Sequence, residues 1–263
     1  MEHNHISSSK NLKVKELSLL LEKSKHRRER ALFCVEGERE VQNAISGGFT
    51  PYEIYYCPQI IDKNHPLLSL NIPTYSLSKD IYEKLAYRGG TEGIITIFEA
   101  KERSLEQITL SNNPIVVILE SIEKPGNLGA ILRTADAAMI DAVIICDPLT
   151  DLYNPNIIRS SIGGVFTQQV VCAESQEIYS WLKSNNISIL TAELQASKWY
   201  TKTNLTKPSA IVMGSESDGL KTFWRERADY RIKIPMLGKL DSLNVSVSTA
   251  IICYEAIRQR GIY

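Results

Sequence analysis

A chain of 263 residues can hold one large domain or two ordinary ones, each with a proper core. Apolar residues at 43% and charged residues at 23% are the balance of a globular protein, which excludes a disordered chain. Thirty Lys and Arg offset thirty Asp and Glu, which excludes a uniformly basic nucleic-acid coat but leaves room for a local basic patch.

No apolar run reaches the roughly 20 residues that a membrane span needs, and the start, MEHNHISSSKNLKVK, has no apolar leader core. A cytoplasmic protein is the expectation. Cys34, Cys57, Cys146, Cys172 and Cys253 are scattered with no CxxC pair, which argues against a disulfide framework and a structural zinc site. Cys146 and Cys172 lie in apolar runs and are expected to pack in the core. His3, His5, His26 and His65 compose neither a metal centre nor a Ser–His–Asp triad, so no metal is expected.

Residues 10–30 carry eight Lys or Arg against three Glu, a local excess of +5, with Leu12, Leu17, Leu19, Leu20 and Leu21 interleaved. The segment reads as a basic amphipathic helix and turn. Its charge is either a solvated helix face or a phosphate-contacting arm, and residues 1–30 are taken as that arm. Residues 31–100 are short and mixed, with helical spacing at Glu38–Ser46 and Ser78–Ala86 and strand-like runs at Tyr52–Cys57 and Gly93–Ala100. This is a small α/β unit. Residues 101–113 are polar, end before Pro114 and mark a linker, with room for a short helix at their start.

From 114 to 263 the rhythm changes. Apolar runs recur at 115–121, 142–147, 167–172, 187–193, 209–214 and 230–235. Helical patterns fall at 128–139, 174–185, 219–227 and 244–260. Near-continuous apolar strands alternating with helices predict a mostly parallel sheet covered on both faces. Such sheets bind ligands outside the carboxyl ends of their strands, so the loops there hold the chemistry.

Three of these loops are informative. The first runs from Glu120 through PGNLGAILRT to Asp136, with Asn127 and Gly129 opening a helix that carries Arg133. Asn127 as a helix cap and Arg133 as a surface residue would be ordinary, but Ala130, Ala135 and Ala137 permit close packing around that arginine. The second, VMGSESDGL at 212–220, sets Glu216 and Asp218 between Gly214 and Gly219. Its charge repels a phosphate and suits a neutral or partly cationic ligand, unless it only complements a helix N-terminus. The third, IPMLGKLDSLNVSVST at 234–249, mixes apolar Ile234, Met236, Leu237, Leu240 and Leu243 with polar Ser242 and Asn244, one of which caps the last helix. That mixture suits a flat apolar group such as adenine, held by backbone amides.

Together these loops resemble the three motifs of the SpoU-type RNA ribose 2′-O-methyltransferases, members of the SPOUT class. PGNLGAILRTADA is similar to N-x-G-x-x-x-R-T-A, VMGSESDGL to G-x-E-x-x-G-L, and IPMLGKLDSLNVSVSTA to I-P-M-x-G-x-x-x-S-L-N-V-S. They occur in order over 114–260. Residues 31–100, most recognisably VEGEREVQNAI at 35–45, resemble the substrate-binding domain that many members carry. The resemblance implies a C-terminal α/β domain with a deep trefoil knot and a small N-terminal α/β domain that binds RNA. It implies S-adenosylmethionine bound by Gly214, Ile234, Met236 and Leu243, and a homodimer with the site near its interface. Val245, Ile251 and Ile252 would be candidate interface residues. Where the family usually has glycine this chain has Met139, expected to alter a helix-to-strand turn and nothing in catalysis.

The implied reaction is in-line attack of a ribose 2′-hydroxyl on a sulfonium methyl group, with Arg133, Asn127, Glu216, Ser242 and Asn244 as catalytic residues. Arginine stays protonated below about pH 12, so Arg133 is expected to clamp the target phosphate and not to act as a base. Glu216 would orient Arg133 or a polar loop neighbour, with Asn127 and Asn244 fixing nucleotide and loop. Lys23, Lys25, Arg27 and Arg28 would contact RNA. The expected substrate is 23S rRNA, with tRNA as the alternative. A non-catalytic RNA-binding assembly factor would show degraded motifs, whereas all five residues are present. A nucleotide-dependent oxidoreductase would need a glycine fingerprint that this chain lacks.

Overall fold

The computed structural model describes residues 4–86, 92–122, 124–146, 151–195 and 198–261. His3 and the last residue of the 142–147 run lie outside the described residues. The chain order opens with β1 (Asn4–Ile6), α1 (Leu12–Glu22), α2 (Ser24–Arg30), β2 (Leu32–Glu36), α3 (Glu38–Ser46) and β3 (Pro51–Tyr56). It continues with β4 (Thr74–Leu77), α4 (Lys79–Leu85), β5 (Ile94–Glu99), β6 (Ile115–Glu120), α5 (Pro125–Ala137), β7 (Ala142–Cys146), α6 (Pro155–Ser160), α7 (Gly164–Thr167) and β8 (Val170–Ala173). Then come α8 (Ser175–Ser184), β9 (Ser188–Ala192), β10 (Lys198–Trp199), β11 (Ser209–Met213), α9 (Thr222–Arg227), β12 (Tyr230–Lys233) and α10 (Val245–Arg260). Packing divides them into two compact units, Met1–Glu102 with Asp151–Thr167, and Arg103–Thr150 with Gln168–Tyr263. Asp151–Thr167 thus packs with the first unit, although it falls within the stretch read from sequence as one run, 114–263.

The first unit is a mixed sheet in the order β1-β4-β3-β5-β2. The basic segment is two helices, not one, because Lys23 takes an extended conformation that ends α1 and begins α2. Val14, Leu17 and Leu20 bury one face of α1 against Cys34, Tyr55, Leu77 and Ile97. Phe33 stacks on Tyr153 at 4.2 Å and on Phe98 and Phe166 at 5.8 and 5.6 Å. The segment Asp151–Thr167 therefore fills an aromatic core within this unit.

The second unit is a seven-stranded sheet, β10-β12-β9-β11-β6-β7-β8, in which every pairing is parallel. All of β6, β7 and β11 is buried, as central strands covered on both faces must be. One face packs on Ile178 and Leu182 of α8 and Trp224 of α9. α5 and α10 pack against each other, α5 also meeting β7 and α10 meeting β11. From β6 the chain builds outward through β7 and β8, then crosses to β9 and inserts β11 beside β6. The sheet order reverses there, between β6 and β11.

Two expectations need correction. Cys172 is exposed on β8, an edge strand where one side chain in two faces outward. Val245 and Ile252 are 6% and 0% exposed within the chain itself, so they cannot serve an interface. The apolar residues that α10 does expose are Val247 and Tyr254. Met139 adopts the left-handed φ of +50° between α5 and β7, a conformation that favours glycine, and is 80% exposed.

Candidate active site

A cavity of about 590 Å³ lies at the carboxyl ends of β9, β11 and β12. Gly214, Ile234, Met236 and Leu243, the expected donor-binding residues, all line it, as do Glu216, Ser242 and Asn244. Met213, Leu220 and Ile252 extend its apolar wall. Leu237 and Leu240 do not join it; they are 95% and 76% exposed.

The loop after β11 is a tight closure. Ser215 and Gly219 exchange backbone hydrogen bonds of 3.1 Å in both directions, and Gly219 has φ of +68°. Helix α9 begins only at Thr222, so Glu216 and Asp218 are not a helix N-terminus. Glu216 is instead a hub. Its Oε1 accepts Nδ2 of Asn127 at 2.8 Å and Nδ2 of Asn244 at 2.7 Å, while Oε2 accepts the Lys124 ammonium. Asn244 Nδ2 also donates to Asn127 Oδ1 at 3.1 Å. The Lys124 ammonium, then the Asn127 amide and the Val245 N–H, hold the Glu216 carboxyl below the usual carboxylate range against the opposing pull of desolvation.

Local structure explains why these side chains are available. Pro125 starts α5, which places Asn127 in the first turn and releases its amide from capping. Asn244 is the cap of α10: its Oδ1 accepts the Ser246 N–H at 3.0 Å while its amide faces Glu216. Three loops are thereby stitched by one carboxylate. Ser242 lines the cavity with its hydroxyl donating to Asp241 at 3.2 Å.

Arg133 stands apart. It is exposed on α5, with no hydrogen bond or ion pair among the described residues. Six residues along a helix is about 9 Å of rise and a third of a turn around the axis from Asn127. Of the two partners expected for Glu216, the polar loop neighbours are the ones in contact.

Two features escaped the sequence reading. Lys124 was signalled only by its place beside Pro125. At the far wall Glu193, whose side chain is 6% exposed, takes Arg225 at 3.1 Å and Arg231 at 2.6 Å. Burial pushes its carboxyl up, but Arg231, Thr191 and Arg225 outweigh this and hold it low.

The basic arm is not uniform. Lys23 and Arg28 are exposed, and Lys25 sits 3.7 Å from Glu29. Arg27 must be withdrawn from the RNA-contacting set: its side chain is 4% exposed, donates to Asp151 at 2.6 Å and to the Leu20 carbonyl at 2.7 Å. A guanidinium so enclosed cannot reach a phosphate.

The profile of the SpoU rRNA Methylase family matches residues 114–254, and that of the MRM3-like substrate binding domain matches residues 11–96. The 23S rRNA (guanosine(2553)-2′-O)-methyltransferase RlmP of Bacillus subtilis is 29% identical, over 95% of this chain and 98% of its own. The 23S rRNA (uridine(2479)-2′-O)-methyltransferase of Streptomyces viridochromogenes is 26% identical, over 96% of this chain and 92% of its own. The AdoMet-bound rRNA methyltransferase of Sinorhizobium meliloti superposes with a TM-score of 0.88 at 27% identity, over 97% of each chain. A parallel sheet with three loops joined at its carboxyl edge, together with a family profile that spans more than half of the sequence, places this chain in the SpoU rRNA methylase family.

Proposed function

We propose that this protein transfers a methyl group from S-adenosylmethionine to a ribose 2′-hydroxyl of 23S rRNA. The observation that carries this reading is the Asn127–Glu216–Asn244 hub on the wall of a cavity of about 590 Å³, a size that suits a cofactor. Met213, Ile234, Met236 and Leu243 suit the adenine, and acidic Glu216 and Asp218 suit the donor's cationic groups. S-adenosylmethionine, when bound, supplies an electrophilic methyl group on a positively charged sulfur. The chain's own work is alignment. The hub fixes the three loops relative to one another, and a carboxylate that already accepts several donors is a poor proton acceptor, so Glu216 positions and does not abstract. Arg133 would clamp the target phosphate and favour ionisation of the hydroxyl beside it.

Two relatives that align along nearly the whole chain carry 23S rRNA in their names, which favours rRNA over tRNA. One is named for a guanosine and the other for a uridine, so relatives aligned over nearly the whole chain differ in their target base. We further infer that the segment after β12 forms a trefoil knot, that the protein works in the cytoplasm, and that it is a homodimer. The dimer is supported by the exposed Val247, Tyr254, Leu237 and Leu240. Ribose-methylation profiling of RNA from a deletion strain should reveal the loss of one 23S rRNA mark, restored by the wild-type gene and not by Arg133→Ala. A complete set of rRNA marks in the deletion strain would refute the reading.

The first unit would dock the RNA, with Lys23, Lys25 and Arg28 supplying positive charge. Neutralising Lys23 and Arg28 is expected to leave stability within about 0.5 kcal/mol and to flatten the salt dependence of RNA affinity. Arg27→Ala should do something different. It leaves Asp151 buried without its cation and is expected to destabilise the protein by about 3 kcal/mol in denaturant titration. Equal effects of the two changes would contradict the separation.

A further inference from the structure

We propose that the edge of the second unit's sheet, β10 with its neighbour β12, is a contact for single-stranded RNA, in which an unpaired base stacks on Trp199 and Lys202 takes an adjoining phosphate; this rests on the RNA methyltransferase reading above. Trp199 is 47% exposed and Tyr230 40%. Two large rings left open on paired strands mark a contact surface, because burying them is worth more than burying most other side chains.

The charge around these rings has one sign. β10, the turn Tyr200–Lys202 and β12 carry Lys198, Lys202, Arg231 and Lys233 and no acidic residue. Glu193, at the end of β9, is already held by Arg225 and Arg231. Lys198 and Lys202 make no ion pair among the described residues. Their ammonium groups lie over rings instead, Lys202 5.5 Å from the centre of Trp199 and Lys198 5.5 Å from that of Tyr230. An exposed indole with an ammonium beside it offers both things a nucleotide needs, a π face for the base and a cation for the phosphate. The aromatic pair on α8 and α9 is the contrast. Tyr179 and Phe223 pack against the core of the sheet, and Lys183 beside Tyr179 is bound to Asp229 at 3.0 Å.

Position ties the edge to the reaction. Trp199 pairs in register with Lys233, which lines the large cavity, and each is the last residue of its strand. The indole thus stands at the carboxyl edge of the sheet, one strand away from the cavity wall, where a nucleotide next to the target ribose can reach it. A base can stack there only after leaving its own stack, so the contact selects unpaired nucleotides. A strand of another protein is the poorer fit, because β10 is two residues long and begins with a lysine.

The test follows tryptophan fluorescence of the full-length protein titrated with an oligouridylate and with an RNA duplex of the same length. The oligouridylate should quench the emission and the duplex should not. Trp199→Phe should remove the quench, separating Trp199 from Trp181 and Trp224. By anisotropy of labelled oligouridylate, Trp199→Phe should keep affinity within about threefold and Trp199→Ala should weaken it about tenfold. Lys202→Met should lower the slope of log affinity against log salt by about 0.7, the share of one phosphate on a single strand. All three variants should bind S-adenosylhomocysteine within about twofold of the wild type, since they change exposed side chains. No quench in the wild type, unchanged RNA affinity in Trp199→Ala, a phenylalanine variant as weak as the alanine one, or equal effects on strand and duplex would overturn the proposal. So would an altered oligomeric state of Trp199→Ala in sedimentation, which would assign the edge to a contact between copies of the chain. A wild-type protein that fails to bind S-adenosylhomocysteine would overturn the methyltransferase reading instead, while a quench lost in Trp199→Phe would still establish the RNA contact.

Discussion

Arg133→Ala is expected to lower methyl transfer to RNA by about 10²- to 10³-fold while leaving affinity for S-adenosylmethionine within about twofold. The separation follows from position. Arg133 is exposed on α5 and does not line the cavity, whereas the loops around that cavity are held by Glu216, Asn127 and Asn244 without it. The nearest acid on its own helix face, Asp136, is engaged by Gln168 at 3.1 Å. Small Gly126, Ala130 and Ala137 share the helix face of Arg133, at positions seven and three before it and four after it. A phosphate can therefore approach the guanidinium closely. Arg133→Lys keeps the charge but loses the planar fork, and should retain only a minor fraction of activity. Near-full activity of the lysine variant, with kcat and KM measured separately, would remove the bidentate clamp from the mechanism.

Gly214→Ala should act on the other half of the proposed reaction, by disrupting the cavity proposed to hold the donor. A Cβ at this position would lie 2.2 Å from the Gly219 carbonyl carbon, 2.3 Å from its oxygen and 2.4 Å from the Leu220 nitrogen. All three are backbone atoms, so no side chain can swing away. The reciprocal Ser215–Gly219 hydrogen bonds must open, carrying Glu216 out of the hub and removing one wall of the cavity. The expected result is a loss of donor affinity of about 10²-fold or more, with about 1–3 kcal/mol of destabilisation in thermal unfolding. Gly126→Ala is the contrast, since a Cβ there meets nothing within 4 Å and alanine favours the helix. Donor affinity retained within threefold in Gly214→Ala would show that the loop has a freedom its geometry denies.

How much of this could be read from the residues varies with the physics of each element. The strands β6, β7 and β11 were legible because a parallel strand buried on both faces must be apolar throughout. β4, with Thr74 and Ser76 after Pro73, was not legible, because its strand character comes from pairing with β3 and β1 and not from its own side chains. The helices within Asp151–Thr167 were missed for a related reason. Their packing partners, Phe33 and Asn43, lie more than a hundred positions away, and the segment bends through positive φ at Ile162 and Gly163.

The same division runs through the site. Sequence alone determined the chemistry available: an acidic loop that suits a neutral or partly cationic ligand, a mixed apolar and polar loop that suits a flat group such as adenine, and an arginine that stays protonated at neutral pH. It also determined that the loops lie at one sheet edge, since alternating strands and helices allow little else. Only the tertiary structure decided which side chains meet. Glu216 bonds Lys124, 92 positions away, and Asn244 reaches Asn127 across 117 positions, because β11 is inserted directly beside β6 and α10 starts above both. Arg27 and Arg28 are indistinguishable neighbours in the sequence, yet one is buried on Asp151, 124 positions later, and the other faces solvent. Residue type sets what a group can do, and the long-range pairing of strands sets whether anything is there to do it to.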